Sequence, residues 1–424
     1  MAAASTRTGT FYGWRVVAAA FVLAAFGWGL GFYGPPVFLG VVGATRGWPV
    51  ALVSTAVTAQ FLIGAMAGAN LPRIHRRFGV AAVTKAGALS LAVGVCGWAL
   101  ASAPWQLFVA ALLGGAGWGA MSAVAVNAIV SPWFVRGRPS ALAMAYNGGS
   151  IGGVVFSPLW VGAIDTLGFP IAAAAIGAVT VLTMWVLADL VFARTPEQMG
   201  LTPDGDAPGA PATSVTRPAA KPCPGSLLWR DAKFQTLAVG MALGLFAQIG
   251  LVAHLFSLLT PALGAQQAGF AMALATALAI AGRALAGWVM SPGVDRRLVA
   301  SVSYAAQMTG SIVFVAAAGT SVPLLLLGIV LFGIGFGNAT SLPPLIAQVE
   351  FADDDVPRVV ALVVALAQGA YAFAPAAFGL IRAFAPQAAG ATTGAAPGLF
   401  LAAALVQALA IAAFLAGRRT IAHS

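Results

Sequence analysis

Twelve stretches of roughly bilayer-spanning length run almost without charge, and that feature constrains the chain more than any other. They fall near residues 15–38, 50–71, 81–101, 105–130, 140–163 and 170–192. Six more fall near 234–260, 267–290, 298–318, 323–347, 359–381 and 398–416. A helix needs about 20 apolar residues to cross a hydrocarbon core of about 30 Å. Inside that core each backbone N–H and C=O has to be bonded within its own element, which selects helices for runs of this length. The 424 residues are 60% hydrophobic and 8% charged, where a soluble domain is about 25% charged. The chain is therefore expected to be an all-α polytopic membrane protein of 12 transmembrane helices. The first run, after MAAASTRTGTFYGWR, is too long for a cleavable leader and reads as a spanning helix.

The net charge of +10 does not point to nucleic acid, because the basic residues sit in short clusters between apolar runs. Such clusters report topology. With the N-terminus inside, every Lys and Arg except Arg46, Arg283 and Arg382 falls in a tail or an even-numbered loop. Both termini are thus expected to be cytoplasmic. Lysine is confined to Lys85, Lys221 and Lys233 while alanine and glycine abound, a composition suggesting a GC-rich bacterial genome and the cytoplasmic (inner) membrane. Cys96 and Cys223 give no disulfide framework or metal site. His75, His254 and His423 are too scattered to build an enzyme centre. Asp353, Asp354 and Asp355 read as a solvated charge run. No metal, cofactor, nucleic-acid partner or enzymatic activity is expected, and the chain is expected to be monomeric in the lipid bilayer.

The two halves repeat. Gly115, Gly117 and Gly119 match Gly333, Gly335 and Gly337; Phe156-Ser157-Pro158 matches Phe373-Ala374-Pro375; Gly68 with Arg76-Arg77 matches Gly287 with Arg296-Arg297. All three pairs lie at nearly one offset. The implied domains are a six-helix bundle over 1–192, a flexible cytoplasmic linker over 193–233 rich in proline, glycine and small polar residues, and a second bundle over 234–424. Parallel six-span repeats are a transporter architecture, with the substrate path between the halves. The glycine rows let backbones approach closely. Pro35, Pro36, Pro158, Pro343, Pro344 and Pro375 read as kinks.

These motifs resemble the major facilitator superfamily. Gly68-Ala-Asn-Leu-Pro72-Arg73-Ile-His-Arg76-Arg77 is similar to its gating signature between spans two and three, with Pro72 where an acid usually stands. In the second half Ser291 takes that place, followed by Asp295-Arg296-Arg297. The closest resemblance inside the superfamily is to the monocarboxylate and oxalate–formate antiporter group. It rests on Tyr12-Gly13-Trp14, on Trp133-Phe-Val-Arg136-Gly-Arg138 running to Tyr146-Asn147-Gly148-Gly149-Ser150-Ile-Gly152, and on Gly282-Arg283 with Gly287. The resemblance implies that Arg283 binds a substrate carboxylate. Ala279 replaces the aspartate of proton-coupled members, and span one has no lysine between Val16 and Phe38. Span eleven offers Gln368 and Tyr371 where the oxalate exchanger has a second basic residue. One cation favours a monoanion.

Arg283 also stands out on physical grounds. A charge mid-span costs about 2.5–3.5 kcal/mol on insertion scales and usually marks a substrate path. Arg283 is eight residues from Ser291, about 12 Å along a helix, so snorkelling to the interface is strained. No acid lies at its depth, and a carboxylate matches the guanidinium fork. Gln248, Tyr33, Tyr146, Asn147, Asn338, Gln368 and Tyr371 could each donate to a substrate or bond a neighbouring helix. His254 could carry a proton or be a neutral interhelical partner. Gly68, Arg73, Arg76, Arg77, Arg136, Arg138, Asp295, Arg296 and Arg297 are the gating-loop candidates. The expected activity is secondary transport of small organic anions, with monocarboxylates as the expected cargo, by proton symport or anion exchange. The alternative is a drug or organic-cation exporter of the same fold, which would want an acid near the midplane.

Overall fold

The computed structural model describes residues 11–205, 225–290, 293–352, 354–384 and 394–422. Ser291, Asp353, Cys223 and His423 lie outside them. Among the described residues there are 12 helices long and apolar enough to cross a membrane. They are α1 Tyr12–Arg46, α2 Val50–Phe78, α3 Val80–Leu100, α4 Pro104–Trp133, α5 Arg138–Leu167 and α6 Phe169–Phe192 in the first half. The second half holds α7 Ala232–Leu263, α8 Ala265–Val289, α9 Arg296–Ala317, α10 Val322–Glu350, α11 Val356–Phe384 and α12 Pro397–Arg418. The protein is all-α with a six-plus-six arrangement, and each window of the sequence lands on its helix.

The glycine rows explain how each half packs. A Cβ on Gly115 or Gly119 would strike the backbone of α2 at Gln60 and Gly64, and one on Gly117 would strike α3 at Gly87 and Leu91. In the second half Gly333 and Gly337 abut α8 at Ala275 and Ala279, and Gly335 abuts α9 at Ser303. The repeat is thus one packing scheme used twice: α4 on α2 and α3, α10 on α8 and α9. Without side chains between them the backbones approach closely, and van der Waals contact supplies the association that lipid cannot. Gly168 and Gly264 join successive helices as single-residue turns at φ 78° and 79°, a region costly for any residue with a Cβ.

Four spans are interrupted. α1 breaks at Phe32–Tyr33, α4 at Met121–Ser122, α10 at Gly337 and α11 at Phe373. The expected link between proline and kink is only partly right. Pro35 and Pro36 open the second piece of α1, and Pro375 follows the break in α11. Pro158, Pro343 and Pro344 lie inside continuous helix, while α4 breaks without proline.

Twelve antiparallel spans put the linker and the even-numbered loops at one end, called here the linker end. At the opposite, far end the halves meet. Thr58 Oγ1 on α2 accepts the Ala376 N–H of α11 at 3.0 Å, and a Cβ on Gly379 would collide with Ser54. On α1, Gly40 faces Phe256 and Ser257 of α7, and Gly269 on α8 faces Pro158 and Val161 of α5. Toward the linker end the halves part. Ala284, Leu285, Gly287, Trp288 and Val289 of α8 are exposed, and no atom comes within 4 Å of a Cβ placed on Gly287. Gly287 is therefore not a close-packing position, unlike Gly282.

The linker begins bound rather than free. Glu197–Met199 and Pro203–Gly205 form single 3-10 turns. The Asp204 carboxylate accepts the N–H groups of Val135, Arg136 and Gly137 at 3.1, 2.8 and 3.1 Å. Burial alone would raise the Asp204 pKa, but these donors and the Arg136 charge outweigh it and hold the carboxyl below its usual value.

Candidate functional site

The site is built where α5 and α8 cross, near the depth at which the halves separate. Asn147 and Ser150 are three residues apart on α5, one above the other on the same face. Across from them, Arg283 sends Nη1 to Asn147 Oδ1 at 3.4 Å and Nη2 to Ser150 Oγ at 3.3 Å, while Nε reaches the Gly337 carbonyl at 3.3 Å. The break in α10 presents that carbonyl: helix resumes at Asn338. Gly282 makes the approach possible, since a Cβ there would strike the Ile334 carbonyl.

These contacts leave the guanidinium poorly satisfied. It has five N–H donors, and its three partners are neutral and distant for N–H···O bonds, whose usual separation is about 2.9–3.0 Å. Among the described residues no carboxylate pairs with it. Arg283 is partly exposed and Asn147 is exposed. Tyr33, at the α1 break, lies within electrostatic reach of Arg283 and beside Thr276 of α8. Gly153 of α5 leaves the space for both side chains. Ser150 and Thr276 were not singled out from the sequence. Ser150 was legible in principle, one turn from Asn147; Thr276 had no local signal.

The other polar candidates divide into separate places. Gln368 and Tyr371 share a face of α11, and the Tyr371 ring meets Phe61 of α2 edge-on at 6.3 Å. Phe61 joins Phe32 and Trp118 in an aromatic cluster under the far-end seam. Asn338 is buried behind Arg283, giving Nδ2 to Ser303 Oγ at 3.0 Å and to the Gly282 carbonyl at 3.4 Å. The Tyr146 hydroxyl turns to the Ala123 carbonyl of α4. Gln248 is buried in α7 with Oε1 unpartnered. His254 is fully buried in the far-end seam, its Nε2 3.0 Å from the Pro375 carbonyl. The structure therefore gathers Arg283, Asn147 and Tyr33 and does not bring Tyr146, Gln248 or His254 to them.

The gating-loop candidates are unequal in the two halves. In the first, Gly68 faces Ser122 and Val124, and Arg73, Arg76 and Arg77 are exposed. Pro72 lies inside continuous α2, and none of these arginines pairs with an acid among the described residues. Arg138 bonds the Phe134 and Ser131 carbonyls, and Arg136 lies 3.9 Å from Asp204. In the second half Arg297 is buried and holds Glu350 through two bonds of 2.6 and 2.7 Å, with Thr236 Oγ1 and the Lys233 carbonyl as further acceptors. Arg296 bonds the Leu345 carbonyl. Asp295 caps α9 through the Arg297 and Leu298 N–H groups and pairs with Arg418. Burial pulls the Asp295 pKa up, but the Arg418 contact and the two N–H donors win and lower it. Among the described residues, the buried arginine–glutamate clamp of the second half has no counterpart at the 2–3 loop arginines of the first.

The family description Major Facilitator Superfamily matches residues 17–376, most of both bundles and the linker. The chain belongs to the major facilitator superfamily. It is a multi-pass secondary transporter, a carrier and not an enzyme. Among solved structures, the nucleoside transporter NupG is similar with a TM-score of 0.71 at 14% identity, covering 96% of this chain and 99% of that one. A bacterial homologue of the human lysosomal transporter Spinster, inward-facing and unoccupied, gives 0.72 at 15% identity over 97% and 98%. The xylose transporter XylE from E. coli, partially occluded and inward-open, gives 0.67 at 14% over 94% and 97%. At these identities the likeness is one of fold. No curated protein matches the sequence. The superfamily is thus established, and the narrower resemblance to the monocarboxylate and oxalate–formate group rests on the motifs alone.

Proposed function

We propose that this transporter carries small organic anions, with monocarboxylates as the cargo, by alternating access between its two halves. The observation that supports it most is Arg283: a partly exposed cation within a spanning helix, with neutral partners at 3.3–3.4 Å and no carboxylate among the described residues. A bound carboxylate would supply the missing charge and take the fork in two parallel bonds. Asn147, Ser150 and Tyr33 would complete the cage, with Gln368 and Tyr371 on the opposite wall. A neutral cargo of the nucleoside or sugar type would leave the cation uncompensated. A drug or organic-cation exporter is disfavoured by the sign of the same charge.

In this reading the protein sits in a bacterial inner membrane with both termini inside. The linker end is then cytoplasmic, and the structure is the inward-open state. The arginines of the 2–3 loop, with Gly68, Arg136, Arg138 and the Asp295–Arg297 segment, would meet across the halves when the cytoplasmic side closes. Uptake into proteoliposomes of a panel of labelled monocarboxylates, dicarboxylates, nucleosides and sugars tests the substrate class, with and without a pH gradient to separate proton symport from anion exchange. Preference for a nucleoside or sugar over all acids would overturn it.

A further inference from the structure

A second arginine, placed by the sequence in an outer loop, lies within the last turns of α11. Arg382 is partly exposed, in the piece of α11 that ends at Phe384. It gives Nη1 to Ser257 Oγ of α7 at 2.6 Å. No carboxylate pairs with it among the described residues. Ser257 faces Gly40 of α1, and the neighbouring turns of α11 carry Gly379 against Ser54 of α2. Arg382 therefore stands at the rim of the seam that closes the far end. His254 lies deeper in the same seam, near enough to feel the Arg382 charge. A carbonyl can only accept, so the His254 Nε2 that meets Pro375 carries a proton. Its Nδ1 is buried without a partner.

Arg382 is not a second clamp on the ion held by Arg283. Arg283 lies eighteen residues into α8 from its far-end start at Ala265, about 27 Å along the helix. Arg382 is two residues from the far-end limit of its own helix piece. A small acid cannot bridge that separation.

We propose that Arg382 and Ser257 form a separate carboxylate subsite at the far-end mouth. It captures the anion from that side before the seam opens and is not used from the linker side. Arg382 supplies the charge and several donors, of which the present structure uses one. Arg46, at the exposed end of α1, adds positive potential at the same end of the molecule, where Asp165 at the exposed end of α5 is the described acid. The subsite rests on the proposed carboxylate cargo, and its signature is sidedness.

The test is transport kinetics measured from each face in proteoliposomes of known orientation. Arg382→Gln is expected to raise the KM for a transported monocarboxylate about tenfold from the far side, as loss of one charge-assisted contact implies. The KM from the linker side should stay unchanged, and Arg382→Lys should restore part of the loss. An unchanged far-side KM, or an equal loss from both sides, would overturn the proposal. Charge-selective labelling gives an independent reading that needs no transported acid. In a background lacking Cys96 and Cys223, Ser257→Cys should react faster with a sulfonate thiosulfonate reagent than with its trimethylammonium counterpart. Arg382→Gln should abolish that preference, and a preference that survives overturns the subsite. If no carboxylate is transported but the preference depends on Arg382, the cargo assignment fails and the anion subsite stands.

Discussion

Replacing Arg283 with glutamine separates a binding residue from a structural one, because the two roles predict opposite changes in stability. The guanidinium makes three long contacts to Gly337, Asn147 and Ser150, so its structural bonds are weak. Its burial, in contrast, is costly: an arginine at mid-span is disfavoured by about 2.5–3.5 kcal/mol on insertion scales. Glutamine removes that penalty and can still reach one of the neutral partners. Cargo binding should suffer heavily. Hydrogen bonds to charged groups contribute about 1.5–3 kcal/mol each. Loss of a two-bond fork therefore costs at least about 3 kcal/mol, or more than about a hundredfold in kcat/KM. The expected result is Arg283→Gln protein that is monodisperse in detergent, melts at or above the wild-type temperature, and transports carboxylates at background level. Arg283→Lys keeps the charge without the planar fork and should fall between. Carboxylate uptake within about threefold of wild type, or a clear drop in thermal midpoint with uptake retained per folded molecule, would refute the reasoning.

Gly337→Ala should impair folding more than chemistry, since the added Cβ strikes the Ala279 carbonyl. Overpacking of this kind costs about 1–3 kcal/mol or more, and an unaltered melting temperature would contradict the packing scheme. Glu350→Gln leaves Arg297 buried without its counter-charge, a loss of about 3–5 kcal/mol. The double change Arg297→Met with Glu350→Met should recover most of it, and thermal denaturation of the two variants decides. Asp204→Asn should release the start of the linker, read as faster amide exchange at Val135, Arg136 and Gly137; unchanged protection there would mean the carboxylate does not hold the loop. Because the folded Asp204 pKa lies below the ordinary 3.8, its stabilising effect is complete above that pH and is lost only as pH falls through the lower folded value. Proteolytic release of the linker should therefore stay flat from neutral pH down to about 4 and rise below it.

Much of the site was legible in one dimension, for identifiable reasons. A lone cation in an apolar run is visible because charge is so rare in this chain, and Asn147 lies in a polar and glycine-rich turn of span five. The helical period then places Ser150 beside Asn147. Nothing local says that these two face Arg283, which is 136 positions from Asn147. That meeting depends on how α5 packs against α8. For the same reason His254 and Gln248, both on α7, could not be sorted by sequence. Burial in the seam and the carbonyl freed by the α11 break decide the fate of His254. Arg382 was misplaced because the apolar window ends one residue before it, whereas the helix continues past it.

The sequence by itself determined the twelve helices, the six-plus-six repeat and the interhelical role of the glycine rows. Each of these follows from short-range physics: hydrocarbon thickness, backbone hydrogen bonding and the absence of a Cβ. Only the tertiary structure decided which end is closed, which polar side chains share a site, and that Arg297 and Glu350 meet as a buried clamp in the second half. Those outcomes depend on contacts between helices far apart in the chain and, for the first two, between halves that must be able to part. Local residue pattern carries no record of which of two mutually exclusive packings is populated.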